Sequence, residues 1–335
     1  MSAVLQGGPA EPLLGVDGLV VSFGARGHAG RRGRRSIKAV DHVSFSIGRS
    51  STLGLVGESG SGKSTTGRAI LQLVAAEAGT VVFEGVDLGS AGAEGRRLLR
   101  RRAQMVFQNP LGSLNARLKV GRSIREPLDI HKIGTPAARR ARVAELVDLV
   151  GLPDDAPERF PHEFSGGQQQ RIALARALAA RPSLIVCDEP VASLDMSIQA
   201  QILELLRSVQ RETGVSYLFI AHDLHVVRKV SHETAVMYLG RIVEQGPSHS
   251  LFASPRHPYT KALLSAVPSP DPAVASRRVM LRGEIPSPMD LPSGCRFRTR
   301  CPSARERCAL EEPALETTDG GVAVACHFWR ELEEQ

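Results

Sequence analysis

A chain of 335 residues, 42% hydrophobic and 23% charged, can bury a sizeable core and exceeds one average domain, so one large domain with an appendage is expected. No apolar run approaches the roughly 20 residues that span a bilayer, and residues 1–14 show no basic segment ahead of an apolar stretch. These features read as neither a helical membrane span nor a signal peptide, and the protein is expected in the cytosol, serving any membrane process from outside the lipid.

The formal net charge of +7 is unevenly spread. Arg26, Arg31, Arg32, Arg34 and Arg35 form one cluster, and Arg96, Arg97, Arg100, Arg101 and Arg102 form another. Such runs attract nucleic acid or anionic headgroups, and they equally describe a solvated loop and a solvated helix face. The scarcity of interleaved aromatics favours the second reading.

In chain order, short Val/Ile/Leu/Phe runs alternate with helical periodicity, which predicts an α/β fold with a largely parallel sheet. Strands are expected at 52–56, 81–83, 105–107, 184–187, 217–221 and 235–239. Most of them are continuous apolar runs, the pattern of strands buried on both faces. Between 109 and 181 no strand is expected. Thr135-Pro136 reads as a helix cap with proline at the first helical position. Val143, Leu146, Val147 and Val150 then recur at helical spacing, and Gly151 ends the helix. The stretch is a helical subdomain inserted into the α/β core. After Gly246, the prolines at 247, 255, 258, 268, 270 and 272 mark a boundary. The expected domains are 1–246 and a C-terminal region, 247–335.

Three segments carry chemistry. Gly57-Glu58-Ser59-Gly60-Ser61-Gly62-Lys63-Ser64-Thr65 follows a strand and opens a helix, the context of a phosphate-binding loop. Gly60 and Gly62 let backbone N–H groups turn toward phosphate oxygens, Lys63 supplies a point charge to the β/γ-phosphates, and the Ser64 hydroxyl is placed for Mg²⁺. The helix N-terminus adds its dipole. The apolar run 184–187 ends in Asp188 and Glu189, suited to holding Mg²⁺ and to accepting a proton from attacking water. Ser165-Gly166-Gly167-Gln168 opens a helix and makes a second anion cradle. One ATP site does not need two cradles, so a second copy or a relative would supply the other half.

With Gln108, Ser193-Leu194-Asp195 and His222, these segments occur in the order seen in ATP-binding cassette (ABC) ATPases, which the chain resembles over roughly residues 14–246. The resemblance implies a P-loop NTPase core and a head-to-tail dimer with ATP between one subunit's phosphate loop and the other's Ser165-Gly166-Gly167. It implies that Gln108 contacts Mg²⁺ and the attacking water, that Asp195 links the two sites, and that His222 contacts the γ-phosphate. Phe23 is the candidate for stacking on adenine, with core packing as the alternative. His225 lies near and does not match the pattern.

Further stretches look like the oligopeptide/dipeptide importer branch: 56–64, Phe107-Gln108-Asn109-Pro110 with Ser113-Leu114-Asn115, Pro161-His162-Glu163-Phe164-Ser165, Cys187-Asp188-Glu189-Pro190 through Ser197-Ile198-Gln199-Ala200-Gln201, His257-Pro258-Tyr259-Thr260, and Gly283-Glu284-Ile285-Pro286-Ser287-Pro288. Ala116 stands where the branch usually has proline, and Val191-Ala192-Ser193 varies the usual order. The resemblance implies two permease subunits, an external solute-binding protein, a second related ATPase, and a peripheral place on the cytoplasmic face of the membrane.

Cysteine usage is lopsided. Cys187 sits in an apolar run and reads as a small core residue. Cys295, Cys301, Cys308 and Cys326 cluster in the tail. ATP dependence implies a reducing compartment, where clustered thiols bind metal more often than they pair. The spacing lacks paired C-x₂-C knuckles, and the resemblance points to a [4Fe–4S] cluster, with Cys₄ zinc or no metal as alternatives.

Function is therefore expected to be ATP hydrolysis energising import of oligopeptides or dipeptides. Import of nickel or a glycoside by the same machinery is one alternative. A nucleic-acid-associated ABC ATPase, disfavoured by the single cassette without a heptad run, is another, and a regulatory cassette conflicts with the intact Lys63, Asp188, Glu189 and His222. No nucleic-acid partner is expected.

Overall fold

The computed structural model describes residues 11–24, 36–265, 281, 283–318 and 320–332. The first arginine cluster, residues 1–10, and Pro268, Pro270 and Pro272 lie outside the described residues.

Strands β1 (Leu14–Gly24) and β2 (Ser36–Ile47) pair antiparallel before β3 (Thr52–Val56) and helix α1 (Lys63–Ile70). The chain returns through β4 (Ala78–Phe83) and β5 (Val86–Asp87), then α2 (Gly92–Arg102) and β6 (Ala103–Val106). Helices α3 (Pro110–Ser113), α4 (Val120–Ile130), α5 (Pro136–Leu149) and α6 (Gly166–Leu178) form the insertion. The core resumes with β7 (Leu184–Asp188), α7 (Met196–Thr213), β8 (Ser216–Ala221), α8 (Leu224–Val230), β9 (Glu233–Tyr238) and β10 (Arg241–Pro247). The last segment holds α9 (Ser248–Ala253), α10 (Pro258–Ser265), α11 (Arg307–Leu310), β11 (Glu316–Thr317) and β12 (Ala323–Val324).

The strands make two sheets. One runs β2-β1-β4-β5 and is antiparallel; the other runs β11-β12-β10-β9-β3-β8-β7-β6, with β9 through β6 parallel. Each expected strand is present within a few residues. The antiparallel sheet was not expected beyond 81–83, although β2 carries a readable signal. Val43, Phe45 and Ile47 are buried while His42, Ser44 and Ser46 are exposed, the period-2 alternation of a half-buried strand.

The large sheet is buried on both faces because alternate residues of its strands feed two cores. Ile185 and Cys187 point to the helical side, joining Ile124, Leu146, Ile172, Leu203 and Phe219. Val186 and Leu184 point to the other, joining Val21, Phe45, Leu55, Ile70 and Phe83 under the antiparallel sheet. Cys187 is fully buried, and its apolar surroundings push the thiol far above the usual range, as suits a core residue.

Between residues 109 and 181 the regular structure is helical, without a strand. Thr135 caps α5 by accepting from the Ala138 amide at 3.2 Å, Pro136 starts the helix, and Gly151 takes a left-handed φ of 65° just beyond its end.

The segment after residue 247 packs onto the core. Strand β12 pairs with β10 through Glu244–Val324 and Gln245–Ala323, and the Ala325 amide donates to Val243 O at 2.8 Å. Leu251, Tyr259 and Phe297 join the helical-side core.

Candidate nucleotide site

The strand-to-helix turn after β3 is built on glycine. Gly57, Gly60 and Gly62 have φ of 153°, 79° and 104°. A Cβ on Gly57 would lie 2.1 Å from Met237 O, and one on Gly62 would lie 2.2 Å from Ala39 O, so both positions require close backbone approach as well as positive φ. The turn leaves Ser59 and Gly60 exposed and buries Ser61. Thr65 lies in the first turn of α1.

Lys63 is 4% exposed and lies along the inside of the loop. Its Nζ donates to Gly57 O at 2.8 Å, Glu58 O at 2.9 Å and Ser61 Oγ at 3.3 Å. Burial lowers its pKa, and the charges of Glu189, Asp188 and Glu58 offset part of that effect. The Ser64 hydroxyl donates to Asp188 Oδ1 at 2.5 Å, joining two hard oxygen donors that suit Mg²⁺. Arg68, one turn further along α1, places a guanidinium nitrogen 3.6 Å from Asp188 Oδ2, a contact that motif reading missed. Its position one helical turn beyond Ser64 was the available signal.

Three parallel strands deliver the remaining groups at their carboxyl ends. Gln108 follows β6, Glu189 follows β7 and His222 follows β8. They meet at one carboxylate: Glu189 Oε2 lies 3.1 Å from Gln108 Nε2 and 3.3 Å from His222 Nδ1. Glu189 has a φ of 49°, unusual for a residue with a side chain, and its amide donates to Ile220 O at 3.0 Å. Backbone strain at this carboxylate is thus stabilised by pairing with β8.

Ser165 caps α6 reciprocally with Gln168: its hydroxyl accepts from the Gln168 amide at 3.4 Å, and Gln168 Oε1 accepts from the Ser165 amide at 3.0 Å. Gly167 faces Ile198, where a Cβ would lie 2.5 Å from Cγ2. Ser165 and Gly166 are exposed, and among the described residues neither is hydrogen-bonded to the phosphate loop. Asp195 caps α7, accepting from the Ile198 amide at 2.9 Å and Ser197 Oγ at 2.7 Å, and those bonds hold its carboxyl below the usual range. Phe23 lies near the end of β1 opposite Ile37 and is 43% exposed, which rules out core packing.

The second arginine cluster occupies the exposed face and last turn of α2, while Arg102 folds back onto Glu84 at 2.8 Å and the Arg181 carbonyl at 3.0 Å. The tail cysteines share one lobe. The Cys295 amide donates to Cys308 O at 2.8 Å. Burial, reinforced by the neighbouring Cys308, Cys301 and Cys326, pushes the Cys295 thiol up to about 11. Among the described residues, no three His, Cys, Asp or Glu side chains stand close enough together to hold a metal ion.

The ABC transporter family matches residues 40–192, and the oligopeptide/dipeptide transporter C-terminal region matches residues 243–308. A Brucella ovis protein named for peptide import and ATP binding is 49% identical over 94% of this chain and 97% of its own length. YkfD of Bacillus subtilis, named for oligopeptide transport and ATP binding, is 47% identical over 96% of this chain and 97% of its own. The chain belongs to the ABC transporter ATPases. Its fold agrees with the dimeric ATP-binding cassette MJ0796 bound to ADP and Pi, at 26% identity and a TM-score of 0.61 over 70% of this chain and 98% of that one. It also agrees with cbiO1 of Clostridium perfringens, at 25% identity and a TM-score of 0.63 over 72% of this chain and 91% of that one. As a member of this family the chain is an ATP-hydrolysing protein, and among its described residues no helix is long and apolar enough to cross a membrane.

Proposed function

We propose that this chain binds and hydrolyses ATP to energise import of oligopeptides or dipeptides by a multi-subunit transporter at the cytoplasmic face of the membrane. The observation that carries the reading is the meeting of Gln108, Glu189 and His222 beside the Lys63–Ser64–Asp188 group, in a chain whose relatives are named for peptide import. Gly57, Ser59, Gly60, Ser61, Gly62 and Thr65 wrap the phosphates with backbone and hydroxyl donors, and Lys63 neutralises the β/γ oxygens. Ser64, Asp188 and Gln108 would hold Mg²⁺, which offsets phosphate charge when bound. Glu189 accepts a proton from water as the water oxygen bonds to the γ-phosphorus; the bond to the ADP oxygen breaks and inorganic phosphate leaves. Gln108 orients the water, His222 contacts the γ-phosphate, and Phe23 offers its exposed ring to adenine.

Ser165, Gly166, Gly167 and Gln168 form a helix start, exposed at Ser165 and Gly166, suited to closing the site of a second ATPase subunit, with Asp195 linking the two sites. The same machinery then comprises two permeases and an external solute-binding protein. The permease surface is read as the groove beside Gln108, where Leu73, Phe107 and Ile130 expose apolar side chains. Cys295, Cys301, Cys308 and Cys326 are the residues that would have to hold a [4Fe–4S] cluster or a Cys₄ zinc, a reading that rests on the sequence resemblance, since no three of them stand close enough together here to hold a metal. Purification of the complex from membranes tests it, with partners identified by mass, peptide-stimulated ATPase measured, and iron, sulfide and zinc assayed together. Partners other than permeases, or stimulation by nickel or a glycoside instead of peptide, would overturn the substrate reading.

A further inference from the structure

Glu58, the second residue of the phosphate loop, has all its polar groups engaged, and two of the partners come from beyond residue 247. Its amide donates to Tyr259 Oη at 2.9 Å. Its carboxylate receives both prongs of the Arg300 guanidinium, at 2.6 Å on Oε2 and 3.0 Å on Oε1. Its carbonyl accepts from Lys63 Nζ at 2.9 Å and from the Ser61 amide at 3.2 Å. Glu58 therefore connects the C-terminal segment directly to the lysine that meets phosphate.

The anchors are themselves held firmly. Tyr259 of α10 is fully buried and packs with Tyr238 of β9 and Phe297, with ring centroids 4.7 to 5.3 Å apart. The Arg300 side chain is 8% exposed and its guanidinium lies 6.0 Å from the Tyr238 ring, so the pair with Glu58 is screened from solvent far better than a surface ion pair. The same loop grips the core a second time. Arg296 donates to Leu239 O at 2.5 Å and pairs with Asp41 of β2, and the adjacent Gly240 amide donates to Ser61 O at 2.9 Å. Residues 295–301 thus hold the phosphate loop directly through Glu58 and indirectly through the turn that bonds Ser61.

We propose that Arg300 and Tyr259 are positioning residues for ATP binding: by fixing Glu58 they set the shape of the phosphate loop and the reach of Lys63. The C-terminal segment is then a working part of the nucleotide site, and a displacement of the cysteine-bearing loop changes ATP affinity. This deepens, and rests on, the reading of residues 57–65 as the ATP cradle.

A double-mutant cycle in the full chain tests the proposal. Binding of a fluorescent ATP analogue and thermal melting are measured for Glu58→Gln, Arg300→Lys, the double variant, Tyr259→Phe and Lys63→Ala. Arg300→Lys keeps the charge and the stem while removing the two-pronged geometry, so a folded protein is expected. Each of the first two single variants is expected to weaken binding by about tenfold, the double variant by no more than Glu58→Gln alone, and Tyr259→Phe by roughly threefold. Melting temperatures that fall while ATP affinity stays at the wild-type value would overturn the proposal, as would losses that simply add. Lys63→Ala separates the two readings. If it abolishes binding and the other variants bind normally, only the positioning role fails; if it leaves binding unchanged, the cradle itself is wrong.

Discussion

Chemistry at this site turns on single side chains whose neighbours are far away in sequence. Glu189 is oriented by Gln108, 81 residues earlier, and by His222 from the next strand. Replacing Glu189 by Gln keeps the shape and removes the proton acceptor. Turnover is expected to fall by about 10² to 10⁴-fold with ATP affinity retained, read by steady-state phosphate release beside nucleotide titration. Normal turnover would exclude Glu189 as the base. Gly62→Ala is the complementary change. Its Cβ would strike Ala39 O at 2.2 Å with φ at 104°, so the loop must deform, and the expected result is loss of ATP binding at near-normal secondary structure by circular dichroism. Lys63, Ser64, Asp188 and Glu189 were legible as residues because their motifs are local and tied to a strand end. Glu58, Tyr259 and Arg300 were not legible as contributors, since no periodicity relates residues that meet across 201 to 242 positions.

At the scale of elements, the insertion was readable because caps and apolar spacing are local properties. Thr135 is an exposed cap, and Thr135→Ala is expected to cost about 1 kcal/mol, within the range for losing a side-chain cap, in urea unfolding followed by circular dichroism. A change under a few tenths of a kcal/mol would mean that α5 is held by Val143, Leu146 and Val147 packing alone. The antiparallel sheet was harder to read. Strand β1 mixes buried and half-buried positions through three register shifts with β2, which blurs its alternation. Strand β12 is two residues long and acquires meaning only by pairing with β10.

For the whole molecule, the segment after β10 is stapled to the core through buried polar groups, and that makes stability sensitive to acid. His257 is 1% exposed; its Nδ1 accepts from the Tyr259 amide at 3.0 Å, and the Glu244 carboxylate accepts from the His257 amide at 3.1 Å. Burial holds the imidazole neutral, with its pKa lowered to about 3. The unfolded chain takes up a proton below the ordinary value of 6.5, and the folded chain does not until about 3. This contribution is complete above pH 6.5 and is lost progressively as pH falls toward 3. Urea midpoints measured from pH 7.5 to 5 should therefore decline in the wild type. His257→Gln should flatten the decline; an unchanged slope would remove His257 from the acid response.

The amino-acid sequence by itself determined the α/β class, the phosphate loop, the acidic strand end and the helical insertion. Each of these is written in a short stretch whose backbone geometry follows from its own glycines, caps and apolar period. Tertiary structure alone decided which distant groups share an atom: Gln108 and His222 on Glu189, Ser64 on Asp188, and Arg300 and Tyr259 on Glu58. The physical reason is that strand order and the pairing of β10 with β12 bring these residues together, and contacts of that range leave no local pattern to read.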